Sequence, residues 1–266
     1  MCVTSGRKLC SRAFTLLEVL LSILIVVAAV FFGKRLVGTM SENAKSIEET
    51  KIIDSGMHAL MTLMRADLGS IVMARGQQPV FEIHENDRRK GIEIFFLTTN
   101  DDEHVTTAVK YDIAEPEFGH IEVTRTALNK EMTIALQSAM GSHSSFGKFF
   151  ENAAPSVKRT HTFGLLLSDF KIRAGVKKYD GSIVSTYPNS KVAYVGGNLI
   201  CERATRKSTI PCDLLFFDVT VRSFAKSDAA KFDHIKAKDL AKAREFLFQR
   251  SRRSFARITI NSSSFS

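Results

Sequence analysis

The chain has 266 residues, 44% of them apolar, which is enough for one or two domains with a sizeable core and excludes an intrinsically disordered chain. The formal net charge of +9 permits acidic partners such as nucleic acid or anionic lipid, but much of the excess lies in one stretch near the C-terminus. The four cysteines, Cys2, Cys10, Cys201 and Cys212, show no CxxC or Cys/His spacing, so no zinc-type site is expected.

The N-terminal residues 1–13 carry Arg7, Lys8 and Arg12 and no acid. From Leu16 to Phe32 the chain is apolar apart from Glu18 and Ser22, without interior Gly or Pro. Such a run, about 17 residues long, lies near the lower limit for a membrane-spanning helix. A glutamate inside it is costly, about 3 kcal/mol at a bilayer centre on insertion scales, so it requires a partner or a function. A secretory signal peptide fits poorly, because "GKRLVGTMSENA" after the run is not a good small-residue cleavage site.

Beyond the apolar run, Ile53, Met57, Leu60, Met61, Met64, Leu68 and Ile71 keep helical spacing, while "SENAKSIEETK" is polar. One helix is expected from Phe14 to about Met73, roughly 90 Å long at ~1.5 Å per residue, with Gly33 and Gly38 as points of bending or fraying. The period then changes. "FEIHE", "IEIFFLTT", "VTTAVKYDI" and "HIEVTRTA" are β-rich runs separated by the turn-rich "NDRRKG", "NDDE" and "EPEFG". "LNKEMTIALQSAMGSHSS" is ambiguous between a helix and a long insertion. "FGLLLSDFKIRAGVKKYDGSIVSTY" reads as two strands joined at Tyr179-Asp180-Gly181, and "IPCDLLFFDVTVRSF" as another strand. "SDAAKFDHIKAKDLAKAREFLFQR" reads as one basic helix with Phe232, Ile235, Leu240, Ala243 and Phe246 on one side, and "FARITI" as a closing strand. The expected class is α+β, a long N-terminal helix packed on an antiparallel sheet.

The order of basic leader, Ala13, Phe14, "TLLE" and an apolar helix resembles the class III signal of the type IV pilin-like superfamily, which includes the pseudopilins of type II secretion. That family's pattern is Gly, then Phe-Thr-Leu-Ile-Glu; Ala13 stands here in place of the glycine. The resemblance implies a pseudopilin fold and removal of residues 1–13 by a prepilin peptidase, with cleavage between Ala13 and Phe14 and methylation of the new amine. It also implies an inner-membrane helix over 14–33, an amphipathic continuation over 34–73, and a periplasmic domain over 74–266. Glu18 is then an assembly residue, meeting the Phe14 amine of a neighbouring subunit. "MRADLGSIVMAR", "VKYDI…HIEVTRT", "LLLSDFKIRAGVKKYDG" and "IPCDLLFFDVTV", in that order, are similar to the J class of minor pseudopilins. This implies I- and K-like minor subunits and the major pseudopilin as partners in a filament-tip complex, with no catalysis and no cofactor. Residues 128–160 and 227–250 depart from the pattern as insertions.

Three other readings arise from the residues. "HENDRRK" and "DDEH" are acidic and histidine-containing turns, but no nucleophile, base and orienter assemble into a catalytic set, and EF-hand spacing is absent. Residues 226–257 hold ten Lys or Arg against four acids, a stripe that would suit DNA in a competence-type minor pilin. The interrupting acids favour a solvated helix instead, so nucleic acid is not the expected partner. If exported, Cys201 and Cys212 are candidates for a disulfide, with two free or buried thiols as the alternative.

Overall fold

The computed structural model describes residues 16–72, 79–86, 91–99, 106–114, 121–140, 146–186, 191–203 and 206–260. Ala13, Phe14, Cys2, Cys10 and most of both acidic turns lie outside the described residues. The chain divides into two compact units, Met1–Glu49 and Thr50–Ser266.

Helix α1 (Leu16–Gly69) runs through 54 residues and passes Gly33 and Gly38 without a break. Its part in the first unit leaves every side chain from Leu16 to Glu48 exposed. Leu, Ile, Val and Phe dominate its beginning, so water would have to cover a continuous apolar surface. This is the one helix among the described residues that is long and apolar enough to cross a membrane. A helix satisfies its own backbone polar groups, which is the condition for crossing lipid. Glu18 lies in the first turn, where a negative charge also suits the helix dipole.

In the second unit, α1 turns amphipathic. Ile53, Met57, Leu60, Met61, Met64 and Leu68 are buried, and Ile71 follows just past the helix end. These are the positions that helical spacing picks out, each worth about 1.5–3 kcal/mol of burial. Gly56 permits close approach to the sheet: a Cβ there would lie 2.7 Å from a methyl of Leu165.

The sheet has ten antiparallel strands: β1 (Pro79–Asn86), β2 (Gly91–Thr98), β3 (Thr107–Ala114), β4 (Ile121–Leu128), β5 (Lys158–Lys178), β6 (Ile183–Thr186), β7 (Lys191–Val195), β8 (Asn198–Arg203), β9 (Arg206–Phe224) and β10 (Arg252–Thr259). Their order is β10-β9-β8-β7-β1-β2-β3-β4-β5-β6, with β9 also paired to β5. Both long strands change partners along their length. β5 pairs with β4 up to Leu167 and with β9 from Leu166 to Lys178. β9 pairs with β8 up to Pro211, then with β5, and with β10 over Phe216–Ser223. The β5–β6 turn is the expected one, with Gly181 at φ +83 and Asp180 Oδ1 accepting from the Ser182 N–H at 2.8 Å. The β7–β8 hairpin turns on Gly196-Gly197, both at positive φ. The sequence reading assigned no strands there, although a Gly-Gly pair between short apolar runs is a hairpin signal.

Alternate residues of β2 serve two cores. Ile94 and Phe96 belong to the α1 core, whereas Phe95 and Leu97 belong to a second cluster with Leu136, Phe146 and Phe150. The second cluster is built by α2 (Lys130–Met140) and α3 (Phe146–Asn152), so the ambiguous segment is helical over Lys130–Met140, and the two helices cover the other face of the strands.

The basic segment is not one helix. It forms α4 (Lys226–Lys236) and α5 (Leu240–Arg250), broken at residues 237–239. Asp239 caps α5, its carboxylate accepting from the N–H groups of Ala241 and Lys242 at 2.9 and 3.1 Å. The break changes the helical phase. Phe232, Ala243 and Leu247 are buried in a third cluster with Phe224, Ile235 and Phe246 are partly buried, and Leu240 is left 47% exposed.

Candidate functional site

The two acids on the apolar faces of α1 define the places where this chain has spent electrostatic energy. Glu18 stands as the only acid between Leu16 and Met40. Its backbone carbonyl accepts from Ser22 Oγ at 2.7 Å, which ties the first turns together. Phe14, whose amine in a neighbouring subunit it is expected to meet, and Ala13, on the other side of the expected cleavage, lie outside the described residues.

The second acid is Asp67, fully buried in the α1 stripe. Its Oδ2 accepts from Tyr111 Oη at 2.7 Å and from Arg125 Nε at 2.7 Å, and its Oδ1 accepts from Arg125 Nη2 at 3.0 Å. Tyr111 on β3 and Arg125 on β4 are direct cross-strand partners, so the sheet presents both donors to one point on the helix. The bidentate geometry fixes the orientation of the guanidinium as well as its distance. Burial pushes the Tyr111 phenol well above its ordinary value, and the Asp67 charge and hydrogen bond push it further. The sequence reading singled out "MRADLGS", the Tyr of "VKYDI" and the Arg of "VTRT" only as elements of a resemblance. An acid in a helix stripe otherwise made of Leu and Met was the available signal for Asp67.

This cluster locks α1 to the sheet, and no proton acceptor or nucleophile stands free in it. A second link is exposed: Arg252 Nη1 on β10 donates to both oxygens of Asp54, each at 2.9 Å. It adds orientation and little stability at the surface.

A pH dependence follows from the phenols. Burial also pushes Tyr194 up to about 12, and its hydroxyl donates to the Cys212 carbonyl at 2.9 Å. A phenol raised in the folded state contributes fully below the unfolded value of about 10 and loses its contribution as pH rises through the folded value. Stability of the Thr50–Ser266 unit should therefore fall above about pH 10. Tyr111→Phe should flatten part of that fall, measured by thermal melts across alkaline pH.

Cys201 and Cys212 are both free thiols in the structure, the second of the two readings the sequence left open. The strand register explains it: Cys201 pairs with Ser208, four residues along β9 from Cys212. At ~3.3 Å per residue that offset exceeds the reach of a disulfide. Burial pushes both thiols up, away from the reactive thiolate.

His84 of the first acidic turn sits against Phe95, its Nε2 2.9 Å from Glu82 Oε2. The residues of "DDEH" lie outside the described residues. Among the described residues no three His, Cys, Asp or Glu side chains gather as metal ligands would. Comparison with known proteins finds no matching family model, no matching curated protein and no matching solved structure.

Proposed function

We propose that this chain is a membrane-anchored assembly subunit of the pseudopilin kind, acting as a J-class minor pseudopilin at the tip of a type II secretion pseudopilus. The observation that carries this reading is α1, one helix with two characters. Its first half is apolar, exposed and marked by a lone acid in the first turn, and its second half is a core helix of an antiparallel-sheet domain. A soluble protein has no use for the first half, and a simple anchor has no use for Glu18.

In this reading a prepilin peptidase removes residues 1–13 and exposes the Phe14 amine. In lipid, the amine of one subunit and Glu18 of the next lower each other's burial cost, and the offset between them sets the axial register. Asp67, Tyr111 and Arg125 hold the core half of α1 to the sheet of its own unit. The partners are I- and K-like minor subunits and the major pseudopilin, and the site is the inner membrane with the sheet domain in the periplasm. The filament, driven by a cytoplasmic ATPase, would push exported proteins through an outer-membrane secretin. The chain itself makes and breaks no covalent bond.

The test is purification of the chain from its own membranes in a neutral detergent after mild cross-linking. Other single-helix subunits carrying the same leader pattern should be captured, and capture of none would overturn the reading. A second reading, a competence-type minor pilin that binds DNA, draws on the exposed Lys226, Lys231, Lys242, Arg250 and Arg253. It requires duplex binding whose affinity falls steeply with salt. We expect no such binding at physiological salt.

A further inference from the structure

The helical hairpin α4–α5 roofs a cavity of about 390 Å³ over β5 and β9. That volume is in the range of small-ligand sites. The cavity arises from a specific irregularity. Leu167 pairs with Ser223 and Asp169 with Arg222, which leaves Ser168 as an extra residue, a β-bulge. A bulge redirects side chains, and here the neighbouring Ser168 and Asp169 both line the cavity. Ser168 Oγ is buried without a hydrogen-bond partner.

The charges around this hydroxyl are unbalanced. Among the described residues, Lys171, Arg222, Lys236 and Arg244 line the cavity with Asp169 as the single acid. Asp169 is taken by Lys171 at 3.0 Å. Among the described residues no carboxylate lies within ion-pair distance of Arg222, Lys236 or Arg244. Arg222 instead sits over the Phe248 ring, its Cζ 3.9 Å from the ring centre. The remaining wall is apolar and includes Leu240 and Phe248, which are 47% and 59% exposed. Three cations without a carboxylate partner among the described residues, beside an apolar wall, form the complement of one kind of molecule.

We propose that this cavity binds a small anionic amphiphile, a carboxylate or phosphate head on an aromatic or short aliphatic body. The head would lie between Arg222 and Arg244, and the body against Leu240, Leu247 and Phe248. This site lies within the Thr50–Ser266 unit and does not rest on the reading of the chain as a pseudopilin.

The probes are 4-phenylbutyrate and 4-phenylbutyl phosphate, with 4-phenylbutyramide as the neutral counterpart, measured by saturation-transfer NMR on the full chain in neutral maltoside micelles. Saturable binding of at least one of the two anions is expected, with the amide weaker. Arg244 is exposed on α5, so Arg244→Gln should leave the melting temperature unchanged. It should weaken the anion by about tenfold, the effect of one lost charge-assisted hydrogen bond. Arg250→Gln removes the same charge from the same helix outside the cavity and should leave binding unchanged. The proposal is overturned if neither anion binds saturably, if the amide binds as well as the anions, or if Arg244→Gln and Arg250→Gln behave alike.

Discussion

Asp67→Ala is expected to lower the stability of the Thr50–Ser266 unit by about 3–5 kcal/mol, the cost of breaking a buried charge pair. The substitution leaves the Arg125 guanidinium, 18% exposed, without its bidentate partner, and the buried Tyr111 hydroxyl without its acceptor. Both must then be rehydrated or stay unsatisfied. In a unit of this size 1 kcal/mol moves the melting temperature by about 2–4 °C, so a drop of about 10 °C should be seen by circular dichroism in neutral micelles. The size of the effect reflects stranded partners and not the net worth of the cluster. The triple variant Asp67→Leu, Tyr111→Phe, Arg125→Met removes charge, donor and acceptor together and should lie closer to the wild type than Asp67→Ala does. A triple variant as unstable as the sum of its parts would mean that the cluster is a net source of stability.

Glu18→Leu should have the largest effect on association. It removes the cost of placing a carboxylate in lipid, so the variant should enter the membrane at least as readily as the wild type. If Glu18 pairs with a neighbour's amine, that amine is left buried and unpaired, a penalty of about 3–5 kcal/mol before relaxation. Snorkelling and local thinning of the bilayer reduce it, so contacts should weaken by more than tenfold without vanishing. If the chain stands at a filament tip, as proposed, it lacks a neighbour on one side, which limits the loss further. The readout is cross-linking of processed variant to its partners, together with export of secreted proteins. Normal cross-linking and normal export by correctly processed Glu18→Leu would contradict the pairing.

Much of this fold could be read from residue spacing, and the exceptions have physical causes. The α1 stripe from Ile53 to Ile71 was legible because a helix with one buried face repeats its apolar residues at 3–4 positions. The strands around "IEIFFLTT" were legible by composition, but not that Phe95 and Leu97 face a second core. That depends on α2 and α3, whose sequence does not say which surface they cover. The break at Asp239 was missed because a good N-cap in the middle of a periodic segment competes with continuing the helix, and the periodicity on either side looks alike. The role of Asp67 depends on donors 44 and 58 residues away, brought together by strand register. The same register keeps Cys201 and Cys212 apart. Glu18 was conspicuous for the opposite reason: an acid in an apolar run violates a local rule.

The central claim is that the apolar half of α1 is an assembly element made by cleavage before Phe14. The most direct test is the mass of the N-terminal peptide from the chain isolated from its native membranes. The expected result is a chain beginning at Phe14, with a methylated amine and without residues 1–13, and loss of that processing in Ala13→Leu but not in Ala13→Gly. An intact leader on the assembled protein would contradict it.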